Sequence, residues 1–380
     1  MMTYQGAPLL SHTEVASLIA AVGHKRTVLV QGENGIGKSA LLATLKAMPQ
    51  FASHLFPTPV DCAQLDIGDH VIPVPDMESG TTRGLPNERY GINAKNQKGI
   101  NGSRPVVVMM DELAKAPKHI QASLAPFFYE HRVGSFVAPE GSVIFGTTNL
   151  GVEGLGDFMP AHTRNRIIVV TMRKPNAEEL VAYASANNWA PEIIAFMTQY
   201  PKVLDSFIDY APGGKYEKKD LARDNPYIFN PAVQQTAYAS PRSLHAASDQ
   251  IKEGIKLPPH VLQAGLCGTL GVETGRELET YVRFGRELPT KERILQDPKN
   301  CPLPTSPTAQ VVQVFKMVLD TDNRTEADKF LQYVERMKDE MVSVFLVTAA
   351  RHEQKIQYYA LVERFLKLLK EHQIYFAGSK

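Results

Sequence analysis

Between residues 26 and 172, short apolar runs alternate with stretches of helical periodicity. Segments 26–31 (RTVLVQ), 104–110 (RPVVVMM), 142–147 (SVIFGT) and 166–172 (RIIVVTM) are continuously apolar rather than alternating. Continuous apolarity is what a strand covered on both faces requires. A shorter strand is expected at 60–63, and a helix over 38–48 (KSALLATLKAM) directly after the first strand. The rhythm predicts an α/β fold with a parallel sheet. Two segments break it. Residues 66–104 are rich in Gly, Pro and Asn, too long for an ordinary connection, and read as a functional loop. Residues 132–137, a Pro-Glu-Gly turn and 142–145 read together as a β-hairpin.

From Pro175 onward the pattern is helical. Helices are expected over 176–188 and 191–200, followed by an irregular stretch over 201–230. Ser240-Pro241-Arg242 opens the clearest helix: Ser240 suits the N-cap and Pro241 the first turn. Leu244, Ala247 and Ile251 then share one face, and Gly254 ends it. Further helices are expected over 259–270 and 274–288. A Pro-rich linker at 302–307 precedes a last helical segment, 310–373. Its stripe of Leu361, Phe365, Leu368 and Leu369 faces mixed charge, so a packed helix is expected rather than a membrane anchor.

At 380 residues the chain is long enough for two or three domains. The net charge of +1 gives no bulk attraction to nucleic acid or an anionic membrane. Cys62, Cys267 and Cys301 lie far apart without metal-ligand spacing, so reduced thiols in a cytoplasmic protein are expected. The eleven histidines show no zinc-binding spacing. No apolar run approaches a membrane span, and no signal peptide is evident.

The candidate chemistry starts at Gly32-Glu33-Asn34-Gly35-Ile36-Gly37-Lys38-Ser39, followed by Ala40. It matches GxxxxGK[ST] between a strand and a helix, the pattern of a phosphate-binding loop. Glycines let backbone amides turn toward phosphates, Lys38 would reach the β- and γ-phosphates of ATP, and the Ser39 hydroxyl would sit on Mg²⁺. Asp111 ends a buried strand and suits the metal side; Glu112 could polarise an attacking water. Asn149, at the end of GTTN, could orient that water. Alone, an acidic pair or an Asn at a strand end is a solvated turn; their combination with the phosphate loop gives them weight.

These stretches, with MPAHTRNRI and YASPRSL, resemble the AAA+ ATPases, and within them the MoxR family, with a likeness also to dynein and midasin modules. The carrying residues lie between positions 26 and 244. The resemblance implies a five-stranded parallel core sheet of order 5-1-4-3-2, a helical lid and a C-terminal helical extension. It also implies roles. Asn149 matches the first sensor, and Arg166, six residues after Pro160, matches the arginine finger that enters a neighbouring subunit's site. Arg164 is a second candidate for that finger. Arg242 matches the lid arginine.

The implied organisation is a nucleotide-binding core over 1–175, a lid over 176–300 and an extension over 301–380. The implied activity is ATP hydrolysis by a homo-oligomeric ring, a hexamer, that remodels or matures a partner protein. Relatives of this type often work beside a von Willebrand A domain protein. Arg83, Arg89, Tyr90, Lys95, Lys98 and Arg104 of the 66–104 loop could line a ring pore and grip a peptide or nucleic acid, and the alternative is a nucleic-acid-stimulated motor or loader that uses this loop and the hairpin. The chain departs from the family in four places. Pro126 should kink the helix after the acidic pair. Ile167 stands where an aromatic is usual, segment 201–239 is long, and 302–380 matches nothing familiar.

Overall fold

The computed structural model describes residues 3–4, 6–92, 104–150, 165–210, 225–231 and 233–374. These form two compact units, one of residues 1–174 with 208–217 and one of 175–207 with 218–380. Among the described residues no helix is long and apolar enough to cross a membrane.

The first unit is built on a sheet. In chain order its strands are β1 (Thr3–Tyr4), β2 (Ala7–Leu10), β3 (Val28–Gly32), β4 (Val60–Asp61), β7 (Val107–Asp111), β10 (Val143–Asn149) and β11 (Ile168–Met172). Across the sheet the order is β1-β2-β11-β3-β10-β7-β4. Six strands are parallel, and β1 joins β2 antiparallel at the edge. The expected five-stranded sheet is therefore corrected to seven. The two extra strands lie in residues 3–10, where APLL is too short to read as a buried run.

Alternate side chains explain the continuous apolar runs. Val28, Val30, Val107, Met109, Val143 and Phe145 face one cluster, completed by α1 (His12–Val22) and α2 (Leu41–Ala47). Leu29, Val108, Met110 and Ile144 face the other, beneath α4 (Lys118–Glu130). Pro126 sits inside α4, which is helical from Lys118 to Glu130.

The segment expected to be an irregular loop contains structure. It begins with α3 (Ile67–His70) and continues as an antiparallel ribbon, β5 (Val71–Asp76) with β6 (Thr81–Pro86). Five prolines and glycines, Pro73, Pro75, Gly80, Gly84 and Pro86, hid its period from the sequence. Tyr90 is fully buried and shares a 2.8 Å hydrogen bond with His70 Nδ1, so it is a core residue rather than a pore residue. His70 Nε2 contacts the Ser123 carbonyl at 3.1 Å, an oxygen that only accepts. The proton therefore sits on Nε2 in the neutral ring, and Tyr90 donates to Nδ1. The expected hairpin also differs. It closes within β8 (Arg132–Val133) and β9 (Phe136–Val137), and residues 143–149 belong to the central sheet. Ser135 at its turn braces the ribbon: its amide donates to the Gly84 carbonyl and its hydroxyl accepts from the Gly84 amide.

The second unit is helical. It contains α5 (Ala177–Ala186), α6 (Pro191–Gln199), α7 (Pro241–Glu253), α8 (Pro259–Leu270), α9 (Val272–Glu287), α10 (Lys291–Gln296), α11 (Pro307–Leu319), α12 (Arg324–Val334), α13 (Asp339–Arg351), α14 (Ile356–Tyr359) and α15 (Glu363–Glu371). One apolar cluster runs from Leu180 to Leu369, taking side chains from both sides of the 302–307 linker. Ser240 caps α7 through a reciprocal pair with Ser243, as its sequence position predicts.

Candidate functional site

Four strand ends meet at the carboxyl edge of the sheet. Asn149 is the register partner of Gly32, and Asp61 of Asp111. In open parallel sheets ligands bind outside this edge. The loop after β3 turns through two left-handed glycines, Gly35 at φ 72° and Gly37 at φ 96°. A side chain at either would strain the backbone. Gly32 is constrained differently: an added Cβ would lie 2.7 Å from Ile36 Cδ1 and 2.8 Å from the Met172 carbonyl oxygen. A 3₁₀ turn, Lys38–Ala40, then leads into α2.

Lys38 is buried, and its ammonium donates to the carbonyls of Gly32 at 2.8 Å and Glu33 at 2.7 Å. It also donates to Asn149 Oδ1 at 2.9 Å. Among the described residues, the same Asn149 leaves its Nδ2 buried without a partner, and Thr148 Oγ1 is likewise unpartnered. Buried donors of this kind need an acceptor to offset their desolvation. Asn149 lies against the phosphate loop through its bond to Lys38, where an anionic ligand would supply one.

Asp111 stands at the end of β7 and accepts through Oδ1 from the Thr147 hydroxyl and, at 3.1 Å, from the Glu112 amide. Glu112 has φ 52°, a left-handed conformation rare for a residue with a long side chain. Such strain persists only where the surroundings fix it. Its Oε2 pairs with Lys115 Nζ at 2.6 Å. Cys62 lies beneath this edge; burial first, then the charges of Asp111 and Asp61, push its thiol pKa up. Ser39 is exposed at the start of the helical turn. A hydroxyl and a carboxylate are the hard oxygen donors that Mg²⁺ prefers, so the residue set fits that ion.

Arg166 lies elsewhere. Its register through Ile168 and Val28 sets it level with Arg26, at the amino edge of the sheet. Six residues of strand separate that level from Gly32, about 20 Å at the usual rise per residue. Arg166 is exposed, with its guanidinium 4.8 Å from the ring centre of Tyr129. Arg164 and Pro160 lie outside the described residues, as do Lys95 and Lys98. Arg242 is exposed in the first turn of α7, in the second unit. Of the remaining basic residues in the 66–104 loop, Arg83 pairs with Asp76 at 2.8 Å. Arg89 contacts Asp69 at 3.5 Å, and Arg104 donates to the carbonyls of Ser53 and His54.

Three residues of this region escaped the sequence reading. Thr147 was visible in GTTN but carried no assigned role. Lys115 follows Glu112 by three residues, a spacing that brings side chains together on a helical turn. Asp61 ends its strand level with Asp111, which only the register reveals.

No protein-family profile matches the sequence, and no curated protein matches it. Several solved structures overlap with the chain. NtrX from Brucella abortus is 14% identical at a TM-score of 0.32, covering 96% of this chain and 68% of its own. A RuvB mutant from Thermotoga maritima is 13% identical at 0.35, covering 76% and 75%. Hsp104 in its closed state with ATPγS and FITC casein is 13% identical at 0.37, covering 66% and 45%. At such scores the overlap is loose, and the functional reading rests on the chain's own residues.

Proposed function

We propose that the chain binds and hydrolyses ATP at the carboxyl edge of the sheet, as an AAA+ ATPase of MoxR-like type. The observation that carries this reading is the bond from Lys38 to Asn149, whose own buried amide donor has no partner among the described residues, at a glycine-turned loop. Residues 32–40 would cradle the phosphates, with the Lys38 ammonium offsetting their charge. Ser39 and Asp111 would hold Mg²⁺, which when bound neutralises phosphate charge as a Lewis acid. Glu112 accepts a proton from the attacking water, and Asn149 orients that water.

The wider reading is a homo-oligomeric ring, a hexamer, that remodels or matures a partner protein, with a von Willebrand A domain protein as the expected partner type. The distance between Arg166 and its own phosphate loop supports an arginine that acts on a neighbouring copy. Arg242, exposed in the first turn of α7, keeps the role of lid arginine that the resemblance gives it.

The test is phosphate release from ATP with Mg²⁺ by the parent chain, Lys38→Ala and Glu112→Gln. Turnover by the parent, with loss in both variants, is expected. Equal release by all three would refute the assignment.

A further inference from the structure

Arg166 has one partner among the described residues, and it is a ring rather than a carboxylate. The guanidinium carbon stands 4.8 Å from the centroid of Tyr129, which projects from the last turn of α4. That turn is fastened. The fully buried Thr27 donates its hydroxyl to the Phe128 carbonyl at 3.0 Å, and its own carbonyl accepts from the Ile168 amide at 2.9 Å. One residue at the base of β3 therefore ties down both the turn carrying Tyr129 and the strand start carrying Arg166. Ile167 is turned into the core and offers no platform of its own.

The spacing has a physical consequence. An arginine locked to a carboxylate has its charge neutralised and its fork occupied. An arginine on an aromatic face keeps its charge and leaves its N–H donors free for a third group, while the ring restricts its wandering. An exposed arginine that must meet a phosphate on another molecule needs that combination.

We propose that Tyr129 is a positioning residue that presents Arg166 to the nucleotide site of a second copy of this chain. The inference rests on the reading of Arg166 as a group acting in trans. It assigns Tyr129 no contact with nucleotide; the ring acts through the arginine.

The experiment compares steady-state ATP hydrolysis by Tyr129→Phe, Tyr129→Leu, Tyr129→Met and Arg166→Ala in the full chain. Phe keeps the π face and should hold kcat within about twofold of the parent. Leu and Met fill space without it and should lower kcat roughly tenfold or more, since small misplacements of a catalytic group cost rates of this order. KM for ATP should move less than about twofold, because the phosphate loop is untouched. Two non-aromatic variants guard against one that fails to fold. The decisive arm mixes Tyr129→Leu with Lys38→Ala. Sites with intact Lys38 then face neighbours with intact Tyr129 and Arg166, and activity should rise above that of either variant alone. Damage by Tyr129→Leu to its own site predicts no recovery and would overturn the proposal. Full activity of both Leu and Met, with Arg166→Ala inactive, would overturn it while leaving the finger standing. An active Arg166→Ala would remove the finger, and this inference with it.

Discussion

Lys38 and Asn149 lie 111 residues apart and meet through a 2.9 Å bond from the ammonium to the amide oxygen. The contact joins the phosphate loop to the end of the neighbouring strand, so the two side chains should fail in different ways. Lys38→Ala removes a buried cation and should weaken nucleotide binding by about 30-fold or more, the scale of a lost charged hydrogen bond. Asn149→Ala keeps that cation. Binding should stay within a few-fold of the parent while turnover falls about 100-fold, as expected for a donor needed mainly during reaction. Fluorescent-nucleotide titration paired with phosphate release separates the two. Equal losses of affinity would place Asn149 in ground-state binding.

Glu112 combines a left-handed backbone with an ion pair to Lys115 at 2.6 Å. Glu112→Gln should bind ATP with parental affinity and lose turnover. Lys115→Met leaves the carboxylate in place but frees its rotamers, and should lower kcat several-fold with KM little changed. A Lys115→Met chain at full speed would show that the pair is only a surface contact, whose worth is usually small.

His12, His70, His131 and His352 all have pKa values lowered, in each case chiefly by burial. A folded-state pKa below the unfolded one means the unfolded chain binds more protons as pH falls. Stability is therefore fully present above the ordinary imidazole pKa of about 6.5 and declines as pH drops toward the folded values. Urea unfolding should give a lower midpoint at pH 5.5 than at pH 7.5. His70→Gln, which removes one of these imidazoles, should flatten the slope. An unchanged midpoint across the window would mean that the rings protonate as readily in the folded protein as in the unfolded chain.

The central strands were legible because both-face burial leaves an unmistakable run of apolar residues, as in 106–110 and 143–145. The phosphate loop was legible because its glycines answer to backbone geometry: Gly35 and Gly37 take the φ values the motif demands. The ribbon at 71–86 was not. Pro73, Pro75, Gly80 and Gly84 sit within it, and exposed Ile72, Val74 and Met77 give it no buried face to impose a period. Strands β1 and β2 were missed for another reason. They are four residues or fewer, and they exist through pairing, β2 with β11 and β1 with β2, which local sequence cannot announce. The meeting of Tyr129 with Arg166 likewise depends on a sheet register and a helix end that converge only in three dimensions.

The placement of Arg166 at the amino edge, with the phosphate loop at the carboxyl edge, makes a prediction about assembly. If Arg166 serves a neighbour, every working site needs Lys38 from one chain and Arg166 from the next. ATP should then favour association, because its phosphates are held by two chains only in the assembled state. Mass measurement at micromolar protein should show a larger particle with a slowly hydrolysed ATP analogue than without it. Lys38→Ala and Arg166→Ala should each be nearly inactive, since a trans arginine is worth about 10³–10⁵ in rate. Mixed in one ring, they create interfaces where an intact Lys38 faces an intact Arg166. Activity should return, peak near equal mixing, and vanish when both changes sit in the same chain. If the variants exchange subunits and no mixture exceeds the separate rates, Arg166 does not act in trans. Arg164→Ala carried through the same mixing would then decide whether its neighbour does.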